Sequence, residues 1–125
     1  MTFTLSVLPD ELAICRFDLD DRWSLPQQGS FMSVTRTEDE ISVVCPVESV
    51  RENARSELGW RALKVHGPIP FEMTGVLAAI VNPLAEAKIP VFAIATFDTD
   101  YVLVKQETLE GAAQALRKAG HLVLL

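Results

Sequence analysis

The second half of the chain opens with a strand pattern followed by a helix pattern. Residues 60–66 alternate between apolar and polar positions, and two prolines in the loop 67–70 end the strand. From Met73 onward, apolar residues recur at spacings of three and four, which predicts a helix with one buried face. This helix should kink or restart at Asn82-Pro83, because proline cannot donate the helical hydrogen bond, and should end before Pro90.

A hairpin and a second helix complete this half. Residues 91–96 and 101–105 are rich in β-branched and aromatic side chains and flank a polar turn, which predicts a hairpin. Thr108 is the predicted N-cap of a helix that stops at Gly120, and residues 121–125 form a last strand. The resulting order, β-α-β-β-α-β, is the ferredoxin-like arrangement, in which two helices cover one face of an antiparallel sheet.

The first half of the chain repeats the second half weakly, at an offset of 60 positions. Residues 33–44 align with residues 93–104, and both segments read as two strands around an acidic turn. A duplicated small module of this kind is typical of a ligand-binding protein with pseudo-twofold symmetry. The alignment sets the acidic residues of the two turns over one another: Glu38 over Asp98, and Glu40 over Asp100.

The first copy departs from the second where its opening helix should be. Residues 11–17 alternate like a strand and residues 18–30 read as a loop, whereas residues 49–58 should form the second helix of this copy. We therefore predict an α+β fold of two ferredoxin-like modules that share a core, with antiparallel sheets and helices on one face. The expected division is a degenerate N-terminal module, residues 1–59, and a C-terminal module, residues 60–125.

Composition and charge exclude several classes of protein. The chain has 125 residues, of which 49% are apolar, so it can bury one continuous core. Its formal net charge is −6 and its 11 Lys and Arg residues form no cluster, so nucleic-acid backbones would be repelled. It opens without a basic segment and has no run of about 18 apolar residues, so we expect no membrane span and a cytoplasmic protein.

The sequence offers no metal or cofactor site. Cys15 and Cys45 lack metal-ligand spacing and are expected to be small apolar fillers on strands. His66 and His121 have no Cys, Asp or His neighbours at ligand spacing and are expected to be structural. Two aromatic residues are expected in a core or an interface rather than in a ligand cage: Trp60 and Phe71.

Five segments of the chain carry a family resemblance: 40–45 (EISVVC), 59–68 (GWRALKVHGP), 74–77 (TGVL), 83–90 (PLAEAKIP) and 96–104 (TFDTDYVLV). Together they resemble the freestanding tandem ACT-domain proteins of bacteria, and the C-terminal module is similar to those of the CASTOR-type arginine sensors. The resemblance implies βαββαβ modules that bind a small molecule, typically an amino acid. It also implies a regulatory protein without catalytic activity, which acts through a homodimer or a separate partner protein.

A free amino acid needs hydrogen-bond donors for its carboxylate and acceptors for its ammonium group. Backbone N–H groups at the helix start near Thr74 and Gly75 would bind the carboxylate. Acidic side chains of the two turns would bind the ammonium group, and the resemblance adds Thr96, Phe97 and Asp100 of the second hairpin. The predicted ligand site draws on both copies: Thr74, Gly75, Thr96, Phe97, Asp98, Asp100, Ser33 and Glu40. We expect one complete site on the second copy, with residues 33–40 as its wall or as a remnant.

Each of these features has a simpler structural interpretation. Asp98 and Asp100 are common turn formers, and Thr74 with Gly75 would also serve as a cap and a packing gap. The alternative function is a module that dimerises through its sheet edges without any ligand. The least favoured alternative is an enzyme with Cys45 as nucleophile and His66 as base, because the sequence shows no Gly-rich elbow that would activate the thiol.

Overall fold

The computed structural model describes residues 1–21, 29–50 and 55–125. Contacts between Cα atoms divide the chain into two compact units: a larger unit, Met1–Leu8 with Arg61–Leu125, and a smaller unit, Pro9–Trp60. The predicted modules divide the chain at a different place, between residues 59 and 60. The elements, in chain order, are β1 (Thr4–Val7), β2 (Leu12–Phe17), β3 (Ser33–Arg36), β4 (Ile41–Pro46), β5 (Arg55–Val65), α1 (Val76–Glu86), β6 (Phe92–Ala95), β7 (Asp100–Lys105), α2 (Leu109–Lys118) and β8 (Leu122–Leu124).

The larger unit confirms the predicted order of strand, helix, strand, strand, helix and strand, from β5 to β8. Its strands lie in the order β6-β7-β5-β1-β8. β1 is antiparallel to β5, with Leu5 opposite Val65, but it is parallel to β8, with Leu5 opposite Val123. The N-terminal strand therefore lies between two strands from the second half of the chain, and one pair in the predicted antiparallel sheet is parallel.

One hydrophobic core unites the strands and helices of the larger unit. β5 and β7 each contribute two alternate residues, β1 and β8 contribute one each, and each helix contributes residues that recur at spacings of three and four. The predicted buried face of α2 is confirmed, since Ala112, Ala113 and Leu116 are buried. The members of this core are Leu5, Leu63, Val65, Ile80, Leu84, Val102, Val104, Ala112, Ala113, Leu116 and Val123.

Helix α1 differs from its prediction at its start and in the middle. It begins at Val76 rather than near Met73, because Gly75 at its N-cap has a left-handed backbone with φ +79°. It also continues through Pro83 as a single helix, so the predicted restart is wrong. The carbonyl of Ala79, which Pro83 leaves without its helical donor, accepts a hydrogen bond from the ring of His121 instead.

Helix α2 begins as predicted at Leu109, but its N-cap works differently. The hydroxyl of Thr108 donates to the carbonyl of Lys105, at 2.9 Å, and does not accept from the helix. The reason is the 3₁₀ turn Gln106–Thr108, which precedes the helix and places Thr108 in a turn conformation. Gly120 follows the end of α2 with φ +102°, as expected for a glycine that terminates a helix.

The smaller unit is a sheet in the order β3-β4-β2-β5, with its own core of Ala13, Cys15, Ile41, Val43 and Cys45. The predicted strands at the positions of β2, β3 and β4 are confirmed. The predicted helix over residues 49–58 is wrong: a 3₁₀ turn spans Val47–Ser49, and β5 has already begun at Arg55. Pairing with β2, in which Cys15 lies opposite Ser56, satisfies this backbone and overrides the local helix pattern. Residues 51–54 of that helix and 22–28 of the predicted loop lie outside the described residues.

Within the described ranges, no helix combines the length and the apolar character that crossing a bilayer requires.

Candidate functional site

A cleft of about 300 Å³ lies in the larger unit, at the segments that the sequence analysis singled out. Its walls come from the loop that follows β5, from the start of α1 and from the hairpin between β6 and β7. Apolar residues dominate the walls, as is usual for small-molecule sites. The lining residues are Ile69, Pro70, Phe71, Met73, Gly75, Val76, Leu77, Ala95, Thr96, Phe97, Thr99 and Asp100.

The hairpin turn is held in place by hydrogen bonds on the buried side of the cleft. The N–H of Thr96 donates to the carbonyl of Thr99 at 2.9 Å, which closes the four-residue turn. Thr99 is buried, and its hydroxyl donates to the carbonyl of Val65 on β5 at 2.6 Å. Because Val65 belongs to the core, the turn has a fixed position relative to the sheet.

The loop after β5 is tied to the same turn. The N–H of Ile69 donates to the carbonyl of Asp98 at 2.8 Å. A β-carbon at position 67 would lie only 3.0 Å from that same carbonyl oxygen, so Gly67 allows the close approach of the two loops. The two loops therefore form one wall of the cleft.

The start of α1 provides the donors that the sequence analysis expected at Gly75. Gly75 lines the cleft, and its carbonyl accepts the first helical hydrogen bond, from the N–H of Ala79 at 2.9 Å. The N–H groups of the first helical turn have no acceptor within the helix and favour an anion. Thr74 is exposed and does not line the cleft, so the predicted contribution of this segment depends on Gly75.

Asp100 is the acidic side chain of the cleft. It is half-buried at the first position of β7, and within the described residues its carboxylate has no hydrogen bond or ion pair. Neither lysine nor arginine occurs among the described lining residues, so the cleft has a negative charge and favours a cationic group. Asp98, in contrast, is exposed at the hairpin tip and lies outside the lining.

Two phenylalanines form an exposed aromatic pair in the lining of the cleft. The ring of Phe71 is 71% exposed and that of Phe97 is 79% exposed, and they meet edge to face with centroids 5.0 Å apart. Of the core or interface position expected for these residues, Trp60 is buried, whereas Phe71 is not in a core, because the loop after β5 projects it into solvent. Because the two rings are in contact, they form one exposed apolar patch, and such patches occur at ligand grooves and interaction sites.

The two predicted hairpins do not align as the sequence repeat suggests. Arg36 pairs with Ile41 around the first turn, whereas Ala95 pairs with Asp100 around the second, so the equivalent positions are 59 residues apart rather than 60. The turns agree with this offset, because the N–H of Thr37 donates to the carbonyl of Glu40 just as that of Thr96 donates to Thr99. The equivalent of Asp100 is therefore the buried Ile41, and the predicted pairing of Glu40 with Asp100 is wrong by one residue.

Ser33 and Glu40, the two site residues predicted from the first copy, belong to the smaller unit. Ser33 is the first residue of β3 and Glu40 ends the turn before β4; both are half-buried. Neither contributes to the lining of the cleft in the described chain. Of the eight predicted site residues, the structure brings together Gly75, Thr96, Phe97 and Asp100 in one cleft.

The apolar lining residues of the cleft were not among the predicted site residues. Ile69, Met73, Val76 and Leu77 lie within or beside the proline-rich loop and the helix start that it had selected. Because of their spacing, Met73, Val76 and Leu77 were predicted to lie on the buried face of the helix. The signal in the sequence is Gly75, two residues after Met73. Its left-handed backbone marks the start of α1, so Met73 lies outside the helix.

The cysteines occupy buried positions on β2 and β4, as predicted. Burial raises the pKa of both thiols, that of Cys45 to about 12, with a further contribution from Cys15. A thiol nucleophile must ionise near neutral pH, so this environment opposes the proposed chemistry of Cys45. His66, its predicted base, hydrogen-bonds through Nε2 to the hydroxyl of Ser6. In the described chain, no group of three or more His, Cys, Asp and Glu side chains could hold a metal ion.

We predict that iodoacetamide leaves both cysteines unmodified in the folded protein at about pH 8 and modifies both after unfolding in urea, because only the thiolate reacts. The raised pKa values also make the neutral thiols a source of stability below about pH 9, which is lost as the pH rises toward 12. Mass spectrometry of the alkylated protein tests the first expectation. Rapid modification of Cys45 in the folded protein would restore the case for a reactive thiol.

Comparison with known proteins places the chain in a family. A model of the ACT domain matches residues 55–118, more than half of the chain, and a model of an N-terminal domain matches residues 10–53. A crystal structure of a protein from Agobacterium tumefaciens is 34% identical and covers 100% of this chain and 94% of that chain, with a TM-score of 0.90.

More distant relatives are similar over part of their length. The human cytosolic arginine sensor for mTORC1 subunit 1 is 28% identical over 102 residues, which is 74% of this chain and 31% of the sensor. The chain thus spans about a third of the length of the arginine sensors that it matches. Aspartate kinase from Clostridium acetobutylicum shares the fold, with a TM-score of 0.69 at 10% identity over 92% of this chain and 34% of the kinase. The resemblance to ACT-domain proteins is confirmed, and this chain belongs to the ACT-domain family.

Proposed function

We propose that this chain is a regulatory module that binds a free amino acid in the cleft of its larger unit. The observation that carries the proposal is the composition of the cleft. It combines the carboxylate of Asp100, the donors at the start of α1 and an apolar lining that lacks a basic side chain among the described residues. A cleft of about 300 Å³ lies at the small end of the range for ligand sites, which suits a molecule the size of an amino acid.

The proposed contacts follow from the charges on an amino acid at neutral pH. Its carboxylate would accept hydrogen bonds from the first-turn N–H groups of α1, where the helix dipole also favours an anion. Its ammonium group, or a cationic side chain, would bind the carboxylate of Asp100 through charge-assisted hydrogen bonds. The exposed face of Phe97 would cover the aliphatic or cationic part of the side chain.

The relatives make arginine the first candidate ligand. The arginine sensors, which match 74% of this chain, carry that ligand in their names. A cationic side chain also complements the negative charge of the cleft. The remaining site residues that the sequence suggested, Thr74, Asp98, Ser33 and Glu40, stay outside the proposed contacts because they do not line the cleft.

The proposed mode of action is regulation without catalysis. Burial raises the pKa of both cysteine thiols, which supports the proposal that neither cysteine acts as a nucleophile. Binding in the cleft would order the loop after β5, the hairpin turn and the start of α1 together, because all three contribute to its lining. A homodimer or a separate partner protein would then recognise the ordered surface.

A thermal-shift screen against the twenty amino acids tests the proposal. A ligand present at ten times its Kd adds about 1.4 kcal/mol to the stability of a protein that binds it only when folded, which is about 5 °C for a chain of this size. We expect one or a few amino acids, with arginine the first candidate, to raise Tm by about this amount. A screen in which none does so at about 10 mM, while the protein keeps the mass of a dimer, would favour the ligand-free dimerisation module instead.

A further inference from the structure

His121 lies at the junction of three elements of the larger unit and is almost fully buried, with 5% of its surface exposed. It immediately precedes β8. Its Nδ1 accepts a hydrogen bond from the backbone N–H of Phe3, just before β1, at 3.1 Å. Its Nε2 lies 3.0 Å from the carbonyl oxygen of Ala79 in α1. Because Nδ1 accepts, the ring proton is on Nε2, which donates to that carbonyl.

The carbonyl of Ala79 needs this donor because of a proline. In an α-helix the carbonyl of residue 79 accepts from the N–H of residue 83, and Pro83 has none. A buried carbonyl without a partner is costly, and a proline inside a helix usually kinks it. The ring of His121 donates a hydrogen bond to this carbonyl in place of the missing N–H, and α1 continues through Pro83 to Glu86.

A short chain of hydrogen bonds joins this carbonyl to the cleft. The two peptide groups that flank the α-carbon of Ala79 are both hydrogen-bonded: its carbonyl accepts from His121, and its N–H donates to the carbonyl of Gly75 at 2.9 Å. Gly75 lines the cleft and precedes the first helical turn. The position of the anion-binding donors therefore depends on a histidine that lies 46 positions further along the chain.

We propose that His121 is a positioning residue for the cleft: by donating to the carbonyl that Pro83 leaves vacant, it fixes the first turn of α1 in the orientation that ligand binding requires. The consequence for binding rests on the proposed function, whereas the link between His121 and Pro83 does not. The charged groups on the elements around the ring are the amino group of Met1, Glu86 of α1, and Glu110, Arg117 and Lys118 of α2. The two ring nitrogens hydrogen-bond to backbone atoms and not to these groups.

Hydrogen exchange in a double-mutant cycle tests the link without any ligand. The variants are His121→Phe, which keeps a ring but removes both hydrogen bonds, Pro83→Ala, which supplies the missing N–H, and the two together. We expect His121→Phe to speed the exchange of two amides about fivefold relative to the Leu103 amide of β7, the factor for one hydrogen bond. The Phe3 amide loses its own acceptor, whereas the Ala79 amide reports the loosening of the first turn of α1, in which it donates to Gly75. In the double variant, the exchange rate of the Ala79 amide should lie within about twofold of its rate in Pro83→Ala. The N–H of alanine at position 83 restores the helical hydrogen bond to the carbonyl of Ala79.

The Phe3 amide is the internal control of this cycle. Alanine at position 83 cannot replace the acceptor that Phe3 loses, so its exchange should stay fast in the double variant. Equal acceleration of Ala79 exchange with and without Pro83, or no acceleration in either background, would overturn the proposal. If His121→Phe does not yield folded protein, His121→Leu takes its place, because it also removes both the donor to Ala79 and the acceptor for Phe3.

Binding of L-arginine, measured by calorimetry on the same four proteins, tests the consequence for the cleft. We expect His121→Phe to weaken binding about fivefold and the double variant to recover most of the loss. His66→Gln, a change to the other histidine of the chain, should leave binding unchanged. If the unmodified protein does not bind L-arginine, the proposed ligand is wrong while the exchange result still decides the role of His121. Normal binding by His121→Phe would show that the first turn of α1 does not need the histidine.

Discussion

Replacing Leu84 by alanine should lower the free energy of unfolding by about 2–5 kcal/mol, the range for a leucine removed from a closed core. Leu84 lies on α1 with none of its surface exposed, in contact with the core that joins both helices to the sheet of the larger unit. The loss has two parts: the transfer free energy of the missing methyl groups and the cavity that the surrounding side chains cannot fill. Urea denaturation followed by circular dichroism measures the change.

Leu77 provides a matched control on the same helix. It is 39% exposed and lies in the wall of the cleft, so Leu77→Ala removes the same atoms from a site that solvent already reaches. We expect a loss below about 1 kcal/mol, because no closed cavity forms and alanine is the better helix former. Similar losses for the two variants would mean that α1 packs differently from the structure described here.

Asp100→Asn should weaken the binding of the amino acid that the thermal-shift screen identifies by about 10- to 100-fold, the loss expected when a hydrogen bond to a charged group is removed. Asparagine keeps the size of the side chain and one acceptor oxygen but removes the charge that would neutralise a cationic group. Asp100 is half-buried in the cleft, where charges are screened less than at the surface. Isothermal calorimetry at low and physiological salt measures the effect.

Asp98→Asn is the matched control for this prediction. Asp98 lies two residues away in the same hairpin turn, is exposed, and contributes its backbone carbonyl rather than its carboxylate to the site. Its substitution should change affinity by less than about twofold, because an exposed charge outside the cleft is well screened. Equal losses for both variants would point to a general effect of negative charge, and no loss for Asp100→Asn would remove this residue from the proposed site.

The repeat in the sequence shows how local patterns can be read correctly and still be matched wrongly. Both hairpins were recognisable from alternating apolar residues around a polar turn, since that pattern depends only on neighbouring positions. Their correct alignment depends on which residues face each other across each turn. It differs by one residue from the alignment that the similar acidic residues suggested. The structural offset of 59 gives the first hairpin a buried Ile41 where the second has Asp100, so the carboxylate that lines the cleft has no equivalent at that position of the first hairpin.

Residues 49–58 show a second error, in which the repeat was carried too far. The offset of 60 set these residues over α2 and favoured a helix, but β5 begins at Arg55 and pairs with β2, which lies about forty residues earlier in the chain. Backbone hydrogen bonds to a distant strand compete with a short helix that has little stability by itself. No window of ten residues contains that information.

The sequence by itself determined the order of strands and helices from residue 60 onward, the buried face of α2, and the position of Gly75 and Asp100 at the segments that form the cleft. Each of these follows from periodicity, turn residues or charge within a few positions, where the chain has few conformational choices. Only the tertiary structure decided that β1 lies between β5 and β8 and that Phe71 is exposed beside Phe97. It also decided that His121 completes a helix interrupted by Pro83, because such contacts join residues that are far apart in the chain and are selected by the packing of the whole unit.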